Sequence, residues 1–224
     1  MQIRYALIMA AGRGERMVPL TDLVPKAMAP VNGSTLIARG LTYLREKLPF
    51  IYVTVGYKGA MLAQHVIEHN VTGVFNTTGQ DNAWWLFNTL MKELDEPVLV
   101  LTCDNVIELD FDLLTKEYFG KGCPPCMVVP VKPIPGLDGD YIVHENNVVQ
   151  RLSRTEVTDM YCSGIQIIHP KKLNALVSPA TNFYQVWNEL MAQGELYCSN
   201  LYPSKWYAVD TIQQLSSYKA TLGQ

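Results

Sequence analysis

A glycine turn with two basic side chains follows the first apolar run of the chain. Residues 6–10 (ALIMA) lead into Gly12-Arg13-Gly14, and Arg16 and Lys26 come after the turn. Backbone N–H groups of such a turn can face an anion, and the basic side chains add positive charge. The segment is therefore predicted to bind phosphate groups. The alternative interpretation is a turn that packs a helix on a strand, with both basic side chains at the surface.

Two common kinds of phosphate-binding turn do not fit this segment. A dinucleotide-binding turn needs a third glycine, but Arg16 and Met17 stand there. It also needs an acidic residue after the second strand, where residues 55–57 read Val-Gly-Tyr. A P-loop needs Gly-Lys followed by Ser or Thr, which this turn lacks. Two prolines before Lys26 predict an extended connector that returns this lysine to the same phosphates.

Two aspartates follow predicted strands. Asp104 comes after the apolar run 98–103, and Asp210 comes after residues 205–209. Ligands of α/β sheets bind at the carboxyl ends of strands, and Mg²⁺ at phosphate sites uses one or two carboxylates. Both aspartates are therefore predicted to hold a metal. The alternative for each is a helix N-cap. Asp110 and Asp112, which begin the next helix, are expected to be ordinary N-terminal carboxylates.

The elements that must position these residues alternate in period. Short apolar runs are followed by segments with helical spacing, which indicates a doubly wound α/β sheet with helices on both faces. The predicted strands are 4–10, 51–56, 71–75, 97–103 and 126–131, and the predicted helices are 35–48, 58–69, 81–94 and 110–119. Beyond residue 130 we predict a hairpin at 141–152, a strand from 160, helices 170–177 and 181–193, a strand near 205 and a helix 211–222.

Composition excludes several functional classes. The 224 residues carry a net charge of −3 without a basic stripe, which argues against nucleic acid as the main partner. No apolar stretch has the length of a membrane span, so no membrane partner is expected. The five cysteines are scattered and odd in number, which favours a reducing, cytoplasmic location.

Two further motifs are interpreted as structural. His65 to His69 matches the H-x-x-E-H zinc pattern, but it lies on a predicted surface helix without a third ligand. Cys123 to Cys126 has the spacing of a redox motif, but it leads into a strand, so we expect a rigid turn with two thiols.

Residues 6–31 (ALIMAAGRGERMVPLTDLVPKAMAPV) resemble the signature of the sugar-phosphate nucleotidyltransferases. The shared features are the apolar strand, Ala-Ala-Gly-x-Gly-x-Arg-Met, Pro-Leu-Thr and Pro-Lys. The second half resembles short members such as the N-acetylmuramate-1-phosphate uridylyltransferases. The resemblance implies a Rossmann-like, doubly wound mixed sheet of the nucleotide-diphospho-sugar transferase type with a small substrate lobe or lid. We expect one domain, 1–224, with a nucleotide-binding half (1–125) and an acceptor-binding half (126–224).

The resemblance also implies roles for the charged residues. Arg16 would hold the β- and γ-phosphates of a nucleoside triphosphate, and Lys26 would contact the reacting α-phosphate. Asp104 and Asp210 would hold Mg²⁺, and no protein nucleophile is required. The turn itself would bind the triphosphate through Ala10, Ala11, Gly12 and Gly14.

The acceptor side is implied by a second strand. Residues 161–170 (YCSGIQIIHP) resemble the family's Ser/Ala-Gly-Ile strand, in which Gly164 would let the acceptor approach the backbone. Arg154 stands near the place where longer members have a lysine for the sugar phosphate, and it is a candidate substitute.

The specificity segment departs from the sugar-nucleotide pattern. Residues 75–90 (FNTTGQDNAWWLFNTL) resemble the phosphocholine and phosphonate cytidylyltransferases, with Asn76 and Asn82 as candidate nucleotide contacts. A helix from residue 81 would place Trp84 in the core and Trp85 on the polar face. Trp85 would there stack on a base or sugar, or cover a quaternary ammonium group. The alternative is a tryptophan packed under the lid.

The sequence thus predicts a Mg²⁺-dependent nucleotidyltransferase that uses UTP, CTP or GTP and a phosphorylated small molecule, with a sugar 1-phosphate first. A phosphocholine-like acceptor with CTP is the alternative. A non-catalytic nucleotide-sugar-binding regulatory protein is a rival of another class, and a Rossmann oxidoreductase comes third. The sequence leaves open whether the chain forms a homodimer.

Overall fold

The computed structural model describes residues 2–134 and 139–223. The strands are β1 (Tyr5–Met9), β2 (Pro30–Val31), β3 (Ser34–Thr35), β4 (Phe50–Val55), β5 (Gly73–Asn76), β6 (Val98–Thr102), β7 (Asn105–Glu108), β8 (Cys126–Val131), β9 (Tyr141–Glu145), β10 (Val148–Ser153), β11 (Tyr161–Ile168), β12 (Leu196–Cys198) and β13 (Lys205–Ala208). The helices are α1 (Leu20–Leu23), α2 (Leu36–Arg45), α3 (Gly59–Glu68), α4 (Trp84–Asn88), α5 (Phe111–Gly120), α6 (Pro170–Leu176), α7 (Phe183–Gln193) and α8 (Ile212–Thr221). The predicted α/β class is confirmed.

The residues form two compact units, each built from separate segments of the chain. The loop unit comprises Tyr5–Gln80, Leu101–Glu108 and Lys205–Gln224. The inserted unit comprises Met1–Arg4, Asp81–Val100 and Leu109–Ser204. These bounds differ from the predicted halves, 1–125 and 126–224, and the single domain stays a prediction.

The loop unit contains three parallel strands in the order β5-β4-β1. The middle of β1 is apolar and buried, as expected for a parallel strand that is covered on both faces. Helices α2 and α3 are the crossover connections that parallel strands require. The glycine turn follows the carboxyl end of β1, where the sequence predicted it.

A two-stranded antiparallel ribbon completes the loop unit. Strand β7 pairs with β13, with Glu108 opposite Lys205 and Asn105 opposite Ala208. The indole N–H of Trp206 donates to Oδ1 of Asn105 at 2.8 Å. The sequence did not predict β7, because its four residues become a strand only through this pairing with a distant segment.

The inserted unit contains a mixed sheet in the order β6-β11-β8-β12-β10-β9, to which β6 contributes residues 98–100. Most neighbouring strands are antiparallel, and β8 and β12 are parallel. The predicted hairpin is β9–β10, and its turn residues Asn146 and Asn147 have φ values of 50° and 66°. Asparagine tolerates this left-handed region better than most residues do. Within residues 2–134 and 139–223, no helix has the length and apolar character of a membrane span.

Candidate active site

The glycine turn presents backbone amides that the fold leaves unused. The N–H of Ala10 donates to Oγ1 of Thr54 at 3.2 Å, and the carbonyl of Ala11 accepts from the N–H of Tyr57 at 2.9 Å. In the described part of the chain, no hydrogen bond has the N–H of Gly12 or Arg13 as its donor. An anion can therefore be bound by these two amides, whereas a nucleotide contact of Ala10 stays a prediction.

Gly14 brings the turn against Lys26. Its φ of 71° is in the left-handed region, and a Cβ added there would lie 2.7 Å from Cβ of Lys26. The carbonyl of Gly14 accepts from Oγ1 of Thr21 at 3.1 Å. The extended connector predicted before Lys26 is wrong, because the segment between the turn and the lysine contains the one-turn helix α1, in which Thr21 lies. The lysine nevertheless returns to the turn, as predicted.

Lys26 lies between the two predicted metal ligands. Its Nζ atom donates to Oδ2 of Asp104 at 2.5 Å and to Oδ1 of Asp210 at 2.6 Å. The side chains of Lys26, Asp104 and Asp210 are 11, 19 and 17% exposed. The predicted charged residues therefore come together in one partly buried cluster within the loop unit.

The ribbon places the two aspartates side by side. Asp104 directly precedes β7 and Asp210 follows β13 by two residues, and the N–H of Val209 donates to the carbonyl of Asp104 at 3.0 Å. The N-cap alternative is wrong for Asp210, since Thr211 caps α8 and Oε1 of Gln214 accepts from the N–H of Asp210 at 2.8 Å. Asp104 precedes a strand and caps no helix.

Asp110 provides the contrast with these two aspartates. Its Oδ1 accepts from the N–H of Leu113 at 2.9 Å at the start of α5. The prediction that Asp110 and Asp112 are ordinary carboxylates at a helix N-terminus is confirmed, since Asp110 caps α5 and Asp112 lies in its first turn.

The charges in the cluster stabilise one another against burial. Burial by itself would lower the pKa of Lys26, but the neighbouring acidic groups, Asp104 foremost, together outweigh burial, so this pKa is raised. Burial would raise the pKa of Asp104, but the ammonium of Lys26 and the hydrogen bonds to this carboxylate together outweigh burial, so this pKa is lowered. Both groups are therefore charged at neutral pH. Burial and the negative charge of Asp104 raise the pKa of the Cys103 thiol to about 12.

The donor set of this cluster fits a magnesium ion. Oδ1 of Asp104 is buried and has no hydrogen-bond partner among residues 2–134 and 139–223. An unsatisfied carboxylate oxygen beside a second carboxylate suits Mg²⁺, which commonly takes one or two carboxylates and completes its shell with water and substrate phosphates. Across the same residues, no group of three or more His, Cys, Asp or Glu side chains is placed to hold a metal. A metal here would therefore depend on other oxygen ligands.

Arg16 lies at the open side of the cluster. Its Nη2 atom is 2.9 Å from Oδ1 of Asp210, and its side chain is 62% exposed. A bound anion can therefore reach the guanidinium.

Asn76 is exposed at the end of β5 in the same unit. Its Oδ1 accepts from the N–H and the hydroxyl of Thr78, at 3.0 and 2.7 Å. Its nucleotide contact stays a prediction.

Asn82 supports the start of a helix in the inserted unit. Its Oδ1 accepts from the N–H of Phe183 at 3.0 Å, at the first residue of α7. The adjacent Asp81 accepts from Oγ1 of Thr181 at 3.3 Å. These contacts give residues 81–82 a structural role, and the nucleotide contact of Asn82 stays a prediction.

The predicted orientation of Trp85 is wrong. Its side chain is 1% exposed and its ring centroid lies 6.4 Å from that of Phe183, whereas Trp84 is only half-buried. The predicted helix 81–94 is also wrong, because α4 ends at Asn88 and Thr89 is extended before a 3-10 turn. The apolar stripe was predicted for one continuous helix. It therefore placed Trp85 on the wrong face of α4. The acceptor role of Trp85 stays a prediction, which this burial does not support.

Arg154 belongs to a polar cluster within the inserted unit. Its Nε donates to Oδ1 of Asp140 at 2.9 Å, and the hydroxyl of Tyr184 donates to Oδ2 of Asp140 at 2.5 Å. Asp140 is 7% exposed. No sequence pattern indicated Tyr184, because its partner Asp140 comes from a distant segment. The acceptor contact of Arg154 stays a prediction.

Gly164 lies in a bulge and does not interrupt its strand. It has a φ of 79° within β11, and the register with β8 shifts between Cys162 and Gln166. Glycine adopts this φ without steric cost, which is how a bulge re-aims a strand. Its acceptor role stays a prediction.

The histidine and cysteine motifs that the sequence analysis interpreted as structural lie on a helix and beside a strand. His65 and His69 lie on α3, where Nε2 of His65 is 2.8 Å from Oγ1 of Thr35. Cys123 and Cys126 are both free thiols, and they lie before and at the start of β8.

Comparisons with known proteins agree with this geometry. A family model described as a MobA-like NTP transferase domain matches residues 6–118, just over half of the chain. The chain is 25% identical over 154 residues to "Bifunctional protein GlmU" of Methanocaldococcus jannaschii, covering 67% of this chain and 36% of that protein. It is 32% identical over 118 residues to "Choline-phosphate cytidylyltransferase" of Streptococcus pneumoniae, covering 51 and 52%.

A solved structure shares the fold over the whole chain. The inositol-1-phosphate CTP transferase from T. maritima superimposes with a TM-score of 0.81 at 17% identity, covering 100% of this chain and 96% of that one. The predicted fold of the nucleotide-diphospho-sugar transferase type is thereby confirmed. The chain spans 36, 27 and 50% of the length of the first three curated relatives that it matches.

Proposed function

Because this chain belongs to the MobA-like NTP transferase family, we propose that it is a magnesium-dependent nucleotidyltransferase. It transfers a nucleoside monophosphate from a nucleoside triphosphate to a phosphorylated small molecule, with a sugar 1-phosphate as the first candidate. The products are a nucleoside diphosphate sugar and pyrophosphate. The observation that carries this proposal is the position of Lys26. Its side chain lies against the glycine turn and between Asp104 and Asp210.

In the proposed reaction, an oxygen of the acceptor's phosphate attacks the α-phosphorus of the triphosphate. The bond from the α-phosphorus to the oxygen that bridges to the β-phosphate breaks, and pyrophosphate leaves with that oxygen. Lys26 stabilises negative charge on the α-phosphate, and Arg16 binds the β- and γ-phosphates. Catalysis then consists of positioning and electrostatic stabilisation, so no protein nucleophile is needed.

Asp104 and Asp210 would hold the Mg²⁺ ion. When bound, the ion neutralises charge on the phosphate oxygens of the reacting nucleotide. The carboxylate of Asp104 keeps its negative charge beside Lys26, and Gln214 fixes the backbone of Asp210.

A second candidate is a CTP-dependent cytidylyltransferase that acts on phosphocholine or another non-sugar phosphate or phosphonate. Two observations favour it: the sequence of residues 75–90, and the relative from Streptococcus pneumoniae whose name specifies choline phosphate. The proposal includes the cytoplasmic location predicted from the cysteines.

The test is pyrophosphate release, measured with UTP, CTP and GTP against a panel of sugar 1-phosphates, phosphocholine and phosphonates. We expect one pair to give turnover that requires Mg²⁺. Turnover with phosphocholine and CTP alone would select the second candidate. If no pair releases pyrophosphate while the protein binds nucleotide sugars, the enzymatic proposal is wrong and a non-catalytic binding role replaces it.

A further inference from the structure

A side chain of the chain itself contacts the carboxylate oxygens that a metal would use. The ammonium of Lys26 bridges Oδ2 of Asp104 and Oδ1 of Asp210, and both contacts are close. Arg16 adds a second positive charge on the same oxygen of Asp210. The two negative charges are thus balanced by side chains of the chain itself.

Lys26 is built to keep these contacts and to gain a further one. Its stem runs along Gly14, where an added Cβ would lie 3.1 Å from Cγ and 3.0 Å from Cδ of the lysine. The ammonium at its end is a compact charge with three N–H donors. Two of the three are used by carboxylates of the described chain, which leaves one for a phosphate oxygen.

A divalent cation must compete with this ammonium. Mg²⁺ binds carboxylate oxygens at about 2.0–2.1 Å, so an ion on Asp104 and Asp210 would lie within a few ångströms of Nζ and be repelled by it. Phosphate groups on the glycine turn would place negative charge beside both cations and remove that repulsion. Oδ1 of Asp104, which has no partner in the described chain, is the oxygen that remains for the ion.

We propose that Lys26 is an internal counter-ion that keeps free divalent cations off Asp104 and Asp210 until a nucleoside triphosphate binds. This inference rests on the proposed function, which supplies the triphosphate, and it adds an order of binding. The metal enters with the triphosphate or after it.

The test is a titration with Mn²⁺ in the absence of nucleotide, followed by the EPR signal of the free ion. It compares the wild type with Lys26→Met and with Lys47→Met, which removes an exposed lysine of the same unit. We expect Lys26→Met to bind Mn²⁺ at least about tenfold more tightly than the wild type, and Lys47→Met to match the wild type. Equal affinities of the wild type and Lys26→Met would overturn the proposal.

The wild type alone decides the matter if circular dichroism shows that Lys26→Met does not fold. In that case the dissociation constant of the wild type for Mn²⁺, measured without nucleotide, should exceed about 1 mM. Micromolar binding of Mn²⁺ to the wild type would overturn the proposal. The titration needs no turnover, so a chain that releases no pyrophosphate can still show the effect of Lys26. Conversely, an active enzyme that binds Mn²⁺ tightly without nucleotide refutes the counter-ion role and leaves the proposed function intact.

Discussion

Nζ of Lys26 lies 2.5 Å from Oδ2 of Asp104, although 78 positions of sequence separate the two residues. Burial disfavours the charged form of each group, and the opposite charge of its partner favours that form. The pair also joins the two halves of the proposed chemistry, because Lys26 belongs to the proposed phosphate-binding segment and Asp104 to the proposed metal site.

Replacing Asp104 by Asn removes one charge and little volume. We expect kcat to fall by about a hundredfold or more, because charge on the reacting phosphates is no longer balanced. The thermal melt should still show a folded protein, since Asp210 remains as a partner of Lys26. Pyrophosphate release and a circular dichroism melt are the measurements.

The matched control for that variant is Asp110→Asn. Asparagine caps helices about as well as aspartate does, so both stability and activity should stay close to the wild type. Activity of Asp104→Asn equal to that of Asp110→Asn would rule out a metal role for Asp104.

Replacing Gly14 by Ala tests the contact between the turn and Lys26. The positive φ should lower the free energy of unfolding by about 1–2 kcal/mol, and the new Cβ should displace Lys26. We therefore expect turnover to fall at least tenfold, on the order of the effects that small displacements cause in active sites. Urea unfolding and steady-state kinetics measure the two effects.

Gly33→Ala separates backbone strain from displacement of the lysine. Gly33 has a φ of 79°, but an added Cβ would meet nothing within 4 Å. This variant should lose similar stability and keep its turnover. Equal losses of turnover in both variants would show that Gly14 acts through stability alone.

Replacing Trp85 by Ala tests whether this side chain belongs to the core. Its burial predicts a loss of about 3–5 kcal/mol in the free energy of unfolding, measured with denaturant. The half-buried Trp84 is the control, and its Ala variant should lose less. A Trp85→Ala protein of normal stability with a changed acceptor preference would instead support the contact predicted from the sequence.

Stability should fall on acidification partly through His65. Burial and the neighbouring His69 lower the pKa of His65 below its ordinary value of 6.5. As the pH falls below about 6.5, the unfolded chain therefore takes up a proton that the native state resists, and stability is lost. Above that pH this contribution is constant.

The measurement is the free energy of unfolding at pH 7.5 and 5.5. The decrease between the two should be smaller in His65→Gln than in the wild type. His144→Gln, at an exposed position of β9, should behave as the wild type does. If the free energy of unfolding of His65→Gln decreases as much as that of the wild type, His65 does not contribute to the loss of stability.

The sequence predicted the charged residues of the loop unit because each follows a strong local signal. Lys26 lies in a dense motif, and Asp104 and Asp210 each follow an apolar run that reads as a strand. Ligand-binding residues of an α/β sheet gather at the carboxyl ends of its strands, so a meeting of Lys26 and Asp104 could be expected before the structure was known. Asp210 reaches Asp104 through the ribbon of β7 and β13 instead.

The remaining features depend on contacts between distant segments. Strand β7 exists because residues 205–208 pair with it, and no local pattern announces that pairing. Trp85 was assigned to the wrong face because periodicity presumes a continuous helix, and α4 ends after five residues. Tyr184 lies on α7, and the apolar pattern of this helix predicts only which of its residues are buried. The pattern does not indicate that the hydroxyl of Tyr184 donates to Asp140.

The ribbon of β7 and β13 also has a consequence for how such a chain can diversify. Glu108 and Lys205 lie opposite each other across it, so the two ends of the segment Leu109–Ser204 lie side by side. A change of length within that segment need not disturb the pairing at its ends. The ribbon thus keeps Asp104 and Asp210 next to each other independently of the length of that segment.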